Sequence, residues 1–571
     1  MNLVISEHKA LKSLTEKNFL IGSWCEDQEN NPYASLINKY HWLDKVKQKK
    51  DIKYLYSKHS FLLNKLRKIL NNFYNANYSI RYYEILLAKW LWRCLLFYFD
   101  RWEIVKSLEK EKNNFECRIF SFEEELFIPN NTFNYCTSII YSKDWNHWVF
   151  SEILKKLSKV NIVKLNQNKI LPNIEQKKEK AEILKKTLNI LFSKISLKDI
   201  FAQNMTFSRK GKLVFNTYFR QFRIPYDESR NIIDKKDTNL DLRVKIFKEN
   251  SGDDEFINFI FEQLPYNFPK VFLENYTENK INLKSLNFPT SPRIIMTSLD
   301  HHFNDLFNLY TAENVEKKSK YFIFQHGGSY GITDNFTAEY LDILVSDKFF
   351  TWGWKSDKKT SPFFSQKYFF KNEIKSLNNR QGIVVPTTEF KPYPGDIAGG
   401  RPRYKDEIDL HVKDLTLFTK SLSEKNKKRM SLKYLITRDT DYVRKSMSNV
   451  FPKLNLFNSK KNTYMLNFKI SVETFNSTGF LDAMYLNHPV ILLLNKAFSN
   501  LRQNVIKDFE VLKEFKIVHF DPLSAAEFLN DNYENLEEWW YDPDLQNTRK
   551  NFCHTYVRKS VKPFIDIKKI N

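Results

Sequence analysis

The stretch from Lys320 to Gly331, KYFIFQHGGSYG, constrains the chain most: an apolar run, Tyr321 to Phe324, breaks at once into Gln325, His326, Gly327, Gly328 and Ser329. A buried strand ending in a titratable imidazole and paired glycines is how an open α/β sheet presents chemistry, because ligands lie outside the carboxyl ends of its strands. Glycine lets backbone N–H groups approach an anion, and imidazole exchanges a proton near neutral pH. A glycine turn carrying a structural histidine accounts for the same residues.

The surrounding pattern is α/β. An apolar strand, Arg293–Thr297, delivers Ser298, Leu299, Asp300, His301 and His302 to its carboxyl end, and a helix, Phe303–Lys317, leads into the strand above. That is a βαβ unit. Strands are also expected at Lys270–Leu273 and Asp342–Ser346, before the turn Trp352–Gly353–Trp354. Near the start, strands Leu3–Ser6 and Phe19–Gly22 precede Ser23, Trp24, Cys25 and Glu26. From about 40 to 110 apolar residues recur at spacings of three and four, a helical insertion. Within it His41–Trp42, Arg81–Tyr82–Tyr83 and Asp100–Arg101–Trp102 read as satisfied core pairs.

The second informative stretch is Ser477 to Asn495, STGFLDAMYLNHPVILLLN. Ser477, Thr478 and Gly479 open a helix whose free N–H groups and dipole favour a phosphate, and a plain N-cap explains Ser477 equally well. Asp482, four residues after Thr478, can face the same side of that helix and reach a ribose hydroxyl or a neighbouring backbone. Arg438, at the end of a strand expected over Tyr434–Thr437, adds a fixed cation.

A chain of 571 residues exceeds one core, so two or three domains of about 100–200 residues are expected. The fold expected is α/β, with two Rossmann-like domains facing a cleft. An N-terminal domain spans 1–355, with the helical insertion at about 40–110 and an irregular one at about 155–250. A linker over 356–380, a C-terminal domain over 381–541 and a strap over 542–571 complete it. The net charge of +23 is spread through Lys runs that have acids beside them. It reads as solvated surface, and no nucleic-acid motif accompanies it. Five widely spaced cysteines without CxxC fit a reducing compartment and no structural zinc. The first residues lack the apolar run of a signal peptide, and Ile85–Phe99 is too short and too charged to span a bilayer. A cytoplasmic protein, at most peripheral to the inner face of the membrane, is expected.

Taken together, GSWC (Gly22–Cys25), YHW (Tyr40–Trp42), RYYEILLAKWL (Arg81–Leu91), DRW (Asp100–Trp102), DWNHW (Asp144–Trp148), FQHGGSYG, WGW and STGFLDAMYLNHPVI, with WW near the end, resemble a family of bacterial transferases found among surface-carbohydrate genes. The resemblance runs from about 18 to 557 and lapses over roughly 155–250. That family is similar to two-domain B-type glycosyltransferases, including capsule-polysaccharide transferases and glycerophosphotransferases. The resemblance implies a nucleotide-sugar donor in the second domain, a glycan or lipid-linked glycan acceptor, and His326 of the first domain at the reacting centre. Arg438, Ser477, Thr478, Gly479 and the turn glycines Gly327 and Gly328 would hold the donor, with Asp482 supporting the nucleotide end. Such transferases often carry Glu near this position, where this sequence has the shorter Asp482. His326 is the first candidate base, with Asp300 and Glu26 behind it. No DxD-type pair is placed to hold a metal, so no metal and no cofactor are expected. Glycerophosphate or sugar-phosphate transfer, epimerisation of a nucleotide-sugar, and non-catalytic docking on membrane or polymer are the alternatives.

Overall fold

A computed structural model of the chain describes residues 1–12, 17–26, 34–111, 114–157, 160–165, 187–189, 191–192, 196–222, 232–248, 252, 254–377, 379–388, 391–395, 397, 400–434, 441–459, 463–560, 562, 566 and 570. The chain divides into two compact units. The first is Met1–Asn204, Gln221–Tyr321 and Pro392–Asp396; the second is Met205–Arg220, Phe322–Lys391 and Ile397–Asn571.

In the first unit, strands β1 (Asn2–Val4), β2 (Asn18–Leu20), β3 (Ala34–Leu36), β4 (Glu116–Phe120) and β5 (Asn161–Leu165) form a sheet in the order β3-β2-β1-β4-β5. Every pairing in it is parallel. This is the order of a Rossmann half, with its winding reversing between β1 and β4. Two helices, Lys45–Tyr74 and Ile80–Lys106, occupy the stretch read as helical. Asp44 caps the first by accepting from the N–H groups of Val46 and Lys47, and Asn75 ends it in the left-handed conformation. The second helix is buried almost all round.

Two of its polar residues, Asp100 and Arg101, form a largely buried network, as expected of that core pair. Arg101, fully buried, donates to Asn146 Oδ1 (2.7 and 3.1 Å), to Asp100 Oδ2 (2.6 Å) and to the Pro394 carbonyl. Asp100 also accepts from Tyr40 and lies 3.0 Å from His41 Nε2. The YHW, DRW and DWNHW motifs are thus linked in one scaffold. Beside it His147 Nε2 accepts from Phe120 N (3.0 Å), which leaves Nδ1–H for Ser6 Oγ at 2.9 Å. Burial holds this ring neutral, its pKa pushed down to about 3.

Strands β6 (Ile200–Gln203) and β7 (Ile294–Thr297) pair in parallel, and the helix Asp305–Glu316 leads to β8 (Lys320–Phe324). The chain leaves the first unit within β8. In the second unit β8 pairs in parallel with β9 (Lys348–Thr351), which pairs with β10 (Thr360–Pro362). Two expected strands are helical. Lys270–Phe272 is a 3₁₀ turn after Pro269, and residues 342–345 complete the helix Thr337–Val345. Three apolar residues in a row suit a buried turn or helix as well as a strand, and periodicity does not separate them.

The second unit's main sheet comprises β11 (Ile383–Pro386), β12 (Met430–Tyr434), β13 (Asn455–Asn458), β14 (Ile470–Glu473), β15 (Val490–Leu493) and β16 (Val518–His519), in the order β13-β12-β11-β14-β15-β16. All its pairings are parallel, again the Rossmann order. Val490 and Leu492 pack with the helices Thr478–Leu486, Ile506–Glu514 and Pro543–Tyr556, while Ile491 and Leu493 pack with Lys405–Ser421 and Pro522–Asn532. Both faces are covered, which is why β15 reads as an unbroken apolar run. The tail helix, expected as a strap, packs through Leu545, Phe552 and Tyr556 in the same cluster as Phe480 and Trp352. Residues 356–380, read as a linker, carry β10 and the buried Phe363, Phe364 and Tyr368. All five cysteines are buried and free. Among the described residues no helix is long and apolar enough to cross a membrane.

Removing one partner of a buried ion pair strands the other charge. Arg101→Ala is therefore expected to lower stability by roughly 3–5 kcal/mol in urea unfolding, and a loss below about 1 kcal/mol would show that the network carries little.

Candidate active site

The order of the second sheet reverses between β11 and β14, and the crevice outside the carboxyl ends of such strands is where open α/β sheets bind ligands. Thr474 Oγ1 donates to Pro386 O (3.2 Å), tying the two strand ends together. Beyond β14 the chain turns into the helix Thr478–Leu486. Ser477 is its N-cap: Oγ accepts from Gly479 N (3.0 Å) and Phe480 N (3.4 Å), and the hydroxyl donates to Glu473 Oε2 at 3.0 Å.

The sequence reading does not single out Glu473, which closes β14. Its carboxyl group is almost wholly buried and also accepts from Tyr464 OH at 2.8 Å. Burial pushes its pKa up to about 7; hydrogen bonds from Tyr464 and Ser477 oppose this, nearby Asp482 adds to it, and Lys433 subtracts. A Cβ at Gly479 would stand 2.6 Å from Glu473 Oε2, so glycine is what lets the helix start over the carboxylate. The available signal was an acid closing the apolar strand ISVE, four residues before a cap serine.

The His–Gly–Gly turn meets this helix end. Gly328 N donates to Thr478 Oγ1 (2.8 Å), and Ser329 Oγ donates to Asn476 O (3.1 Å). A Cβ on Gly328 would lie 2.8 Å from Thr478 N and 2.9 Å from Ser477 C, contacts with backbone that cannot step aside. The two stretches singled out in the sequence are thus interlocked. These bonds place His326, Gly327 and Gly328 in the second unit, although the sequence reading put them in an N-terminal domain.

His326, Gly327, Ser477, Thr478 and Gly479 are each half-buried, forming a partly open strip. The His326 ring stands edge to face with Tyr330, centroids 5.4 Å apart, with the phenolic oxygen 3.4 Å from Nδ1. Tyr330 OH donates to Asp342 Oδ2 at 2.7 Å, so its lone pairs are left for the imidazole. Burial and the Asp342 charge hold the phenol well above its ordinary pKa, and it stays protonated.

The other expected residues lie as follows. Asp482 is buried and its carboxylate pairs with Lys367. Burial raises its pKa and the Lys367 charge opposes that. Asp300 and Glu26 belong to the first unit. Asp300, after β7, donates its N–H to Thr297 Oγ1 (3.0 Å) and accepts from Asn204 Nδ2 at 2.9 Å. Glu26 is exposed and donates its N–H to Ser23 O at 3.2 Å. Arg438 lies outside the described residues.

A family model described as LIC12162 family transferase matches residues 1–570. No curated protein matches the chain. Among solved structures, WaaG, a glycosyltransferase involved in lipopolysaccharide biosynthesis, is 9% identical, with 65% of this chain and 98% of that one covered and a TM-score of 0.28. A UDP-forming α,α-trehalose-phosphate synthase from Burkholderia xenovorans is 11% identical over 58% of this chain and 82% of its own, with a TM-score of 0.26. The glycotransferase of kitacinnamycin is 8% identical over 65% and 90%, with a TM-score of 0.27.

The junction makes two testable demands. Gly328→Ala is expected to cost about 1–3 kcal/mol in thermal unfolding through overpacking. Gly327→Ala, whose Cβ would sit 3.4 Å from Thr478 Oγ1, should change stability by less than about 1 kcal/mol. Equal effects would contradict the interlock. Glu473 keeps a proton in the folded state that the unfolded chain releases near the ordinary value of 4.5, so its contribution to stability falls as pH rises from 4.5 towards about 7. Glu473→Gln should therefore gain on the wild type across that window, by up to roughly 3 kcal/mol, and parallel pH profiles would contradict this.

Proposed function

Because the chain belongs to the LIC12162 family of transferases across residues 1–570, we propose that it is a glycosyltransferase moving a sugar from a nucleotide-sugar donor onto a surface glycan or lipid-linked glycan. Membership in a transferase family sets aside the non-catalytic docking reading. The observation that carries the proposal is the seating of the His326 turn on the N-terminus of the helix Thr478–Leu486, at the reversal point of a Rossmann-ordered sheet.

In this scheme the donor diphosphate lies beside the helix end, where the dipole favours negative charge and the Ser477–Gly479 turn, its Gly479 N–H already given to the Ser477 hydroxyl, lines the approach. Gly327 and Gly328 keep that approach free of side chains. His326 takes the acceptor hydroxyl proton, the acceptor oxygen bonds the anomeric carbon, and the nucleoside diphosphate leaves with the bonding pair. Its developing charge is met by the helix end and by Arg438, electrostatic stabilisation that uses no metal ion. Tyr330, held by Asp342, orients the imidazole. Asp482, paired with Lys367, supports the helix from inside. Asp300 and Glu26 are the alternative bases. An acceptor on a lipid carrier would bring the enzyme to the inner face of the membrane.

A thermal-shift panel of CMP, CDP, UDP, GDP, dTDP and AMP without added metal tests the donor reading. One nucleotide should stabilise by roughly 2.7 kcal/mol at about a hundred times its Kd. His326→Ala should keep that shift and lose transfer. No shift with any nucleotide would contradict the donor reading, and undiminished turnover by His326→Ala would remove the base assignment. A phosphodiester product in place of a glycosidic bond would point to glycerophosphate or sugar-phosphate transfer.

A further inference from the structure

The residue before the histidine has no role in the chemistry above, yet its side chain is the most fully engaged group at the turn. Gln325 is completely buried. Its own N–H donates to Phe350 O at 2.8 Å. Its side-chain Nε2 donates to the Gly327 carbonyl at 2.8 Å, and its Oε1 accepts from Trp352 N (2.8 Å) and from Trp354 Nε1 (2.9 Å). A peptide N–H and an indole N–H can only donate, so the amide has one allowed orientation: oxygen towards the Trp–Gly–Trp turn, nitrogen towards Gly327.

That turn is itself held from behind. Gly353 has φ +133, and a Cβ there would stand 2.5 Å from the His554 carbonyl, at the end of the helix Pro543–Tyr556. Trp354 also lies under the far end of the histidine turn, where a Cβ on Gly331 (φ +72) would meet its ring at 2.5 Å. The Trp–Gly–Trp turn therefore touches the FQHGGSYG segment at both ends, once through the Gln325 amide and once through the Trp354 ring.

We propose that Gln325 is a positioning residue: clamped by Trp352 and Trp354, it holds the Gly327 carbonyl and so fixes the direction in which the backbone presents His326. No other amino acid of similar length supplies both functions at neutral pH. A glutamate keeps the acceptor for the two tryptophan donors, but when ionised it sets a carboxylate oxygen against the Gly327 carbonyl. When protonated it donates there, as the amide does.

The test compares wild type, Gln325→Glu and Trp354→Phe, using ¹³Cε1-labelled histidine, with the His326 resonance assigned by its loss in His326→Gln. Gln325→Glu should displace that resonance at high pH and return it towards the wild-type position on acidification. The kinetic arm rests on the glycosyltransferase reading: kcat should fall by about 100-fold at high pH, with donor KM within about 3-fold, and recover as the introduced carboxylate gains its proton. Trp354→Phe, which removes one of two donors to Oε1, should give a smaller shift and a pH-independent loss. It decides the matter alone if Gln325→Glu fails to fold. A His326 resonance and a kcat that follow the wild type at every pH would overturn the proposal, as would a pH-independent loss in Gln325→Glu matched only by a lower melting temperature. If the wild type transfers no sugar from any donor while the resonance still moves, the glycosyltransferase reading fails and the positioning role stands.

Discussion

The approach of Gly328 to the first residues of the helix Thr478–Leu486 is the contact on which the candidate site depends. Thr478 N and Ser477 C leave no space for a Cβ at Gly328, and the Thr478 hydroxyl receives the Gly328 N–H at 2.8 Å. Two segments 150 residues apart are thereby brought to backbone contact. One contributes an imidazole, the other a helix end. Neither alone distinguishes chemistry from packing, because a histidine after a strand and a serine N-cap are both common. Their junction at the reversal point of a parallel sheet is what gives the pair a chemical meaning.

Much of this is legible in the sequence itself. The apolar run ending in His–Gly–Gly, the cap Ser477 and the strand Val490–Leu493 each carry a local signal, a change of period or a capping residue, that survives folding. Apolar runs of three residues carry no such signal, and Val271–Phe272 and Asp342–Val345 lie in a turn and a helix end. Long-range pairings were closed to sequence reading altogether. Nothing local connects Asp482 with Lys367, or Glu473 with Tyr464 and Ser477, yet those contacts decide that one carboxylate is tied up inside and the other sits beneath the helix start.

The aromatic and charged motifs of the first unit have a different logic. Tyr40, His41, Asp100, Arg101 and Asn146 bond to one another in a largely buried cluster that ends on the Pro394 carbonyl. A buried polar network is specific because every unmet partner is costly, so its members are tightly constrained by one another. The same reasoning separates the roles around the histidine turn. His326 is half-open to solvent and suited to chemistry, whereas Gln325, Trp352 and Trp354 are closed off and suited to holding it.

A crystal structure of the protein with a stabilising nucleoside diphosphate tests the central claim most directly. The account predicts phosphate oxygens within hydrogen-bonding distance of the Ser477–Gly479 segment, with the His326 ring facing the terminal phosphate. A nucleotide bound elsewhere, with the Ser477–Gly479 segment and His326 unengaged, would contradict it.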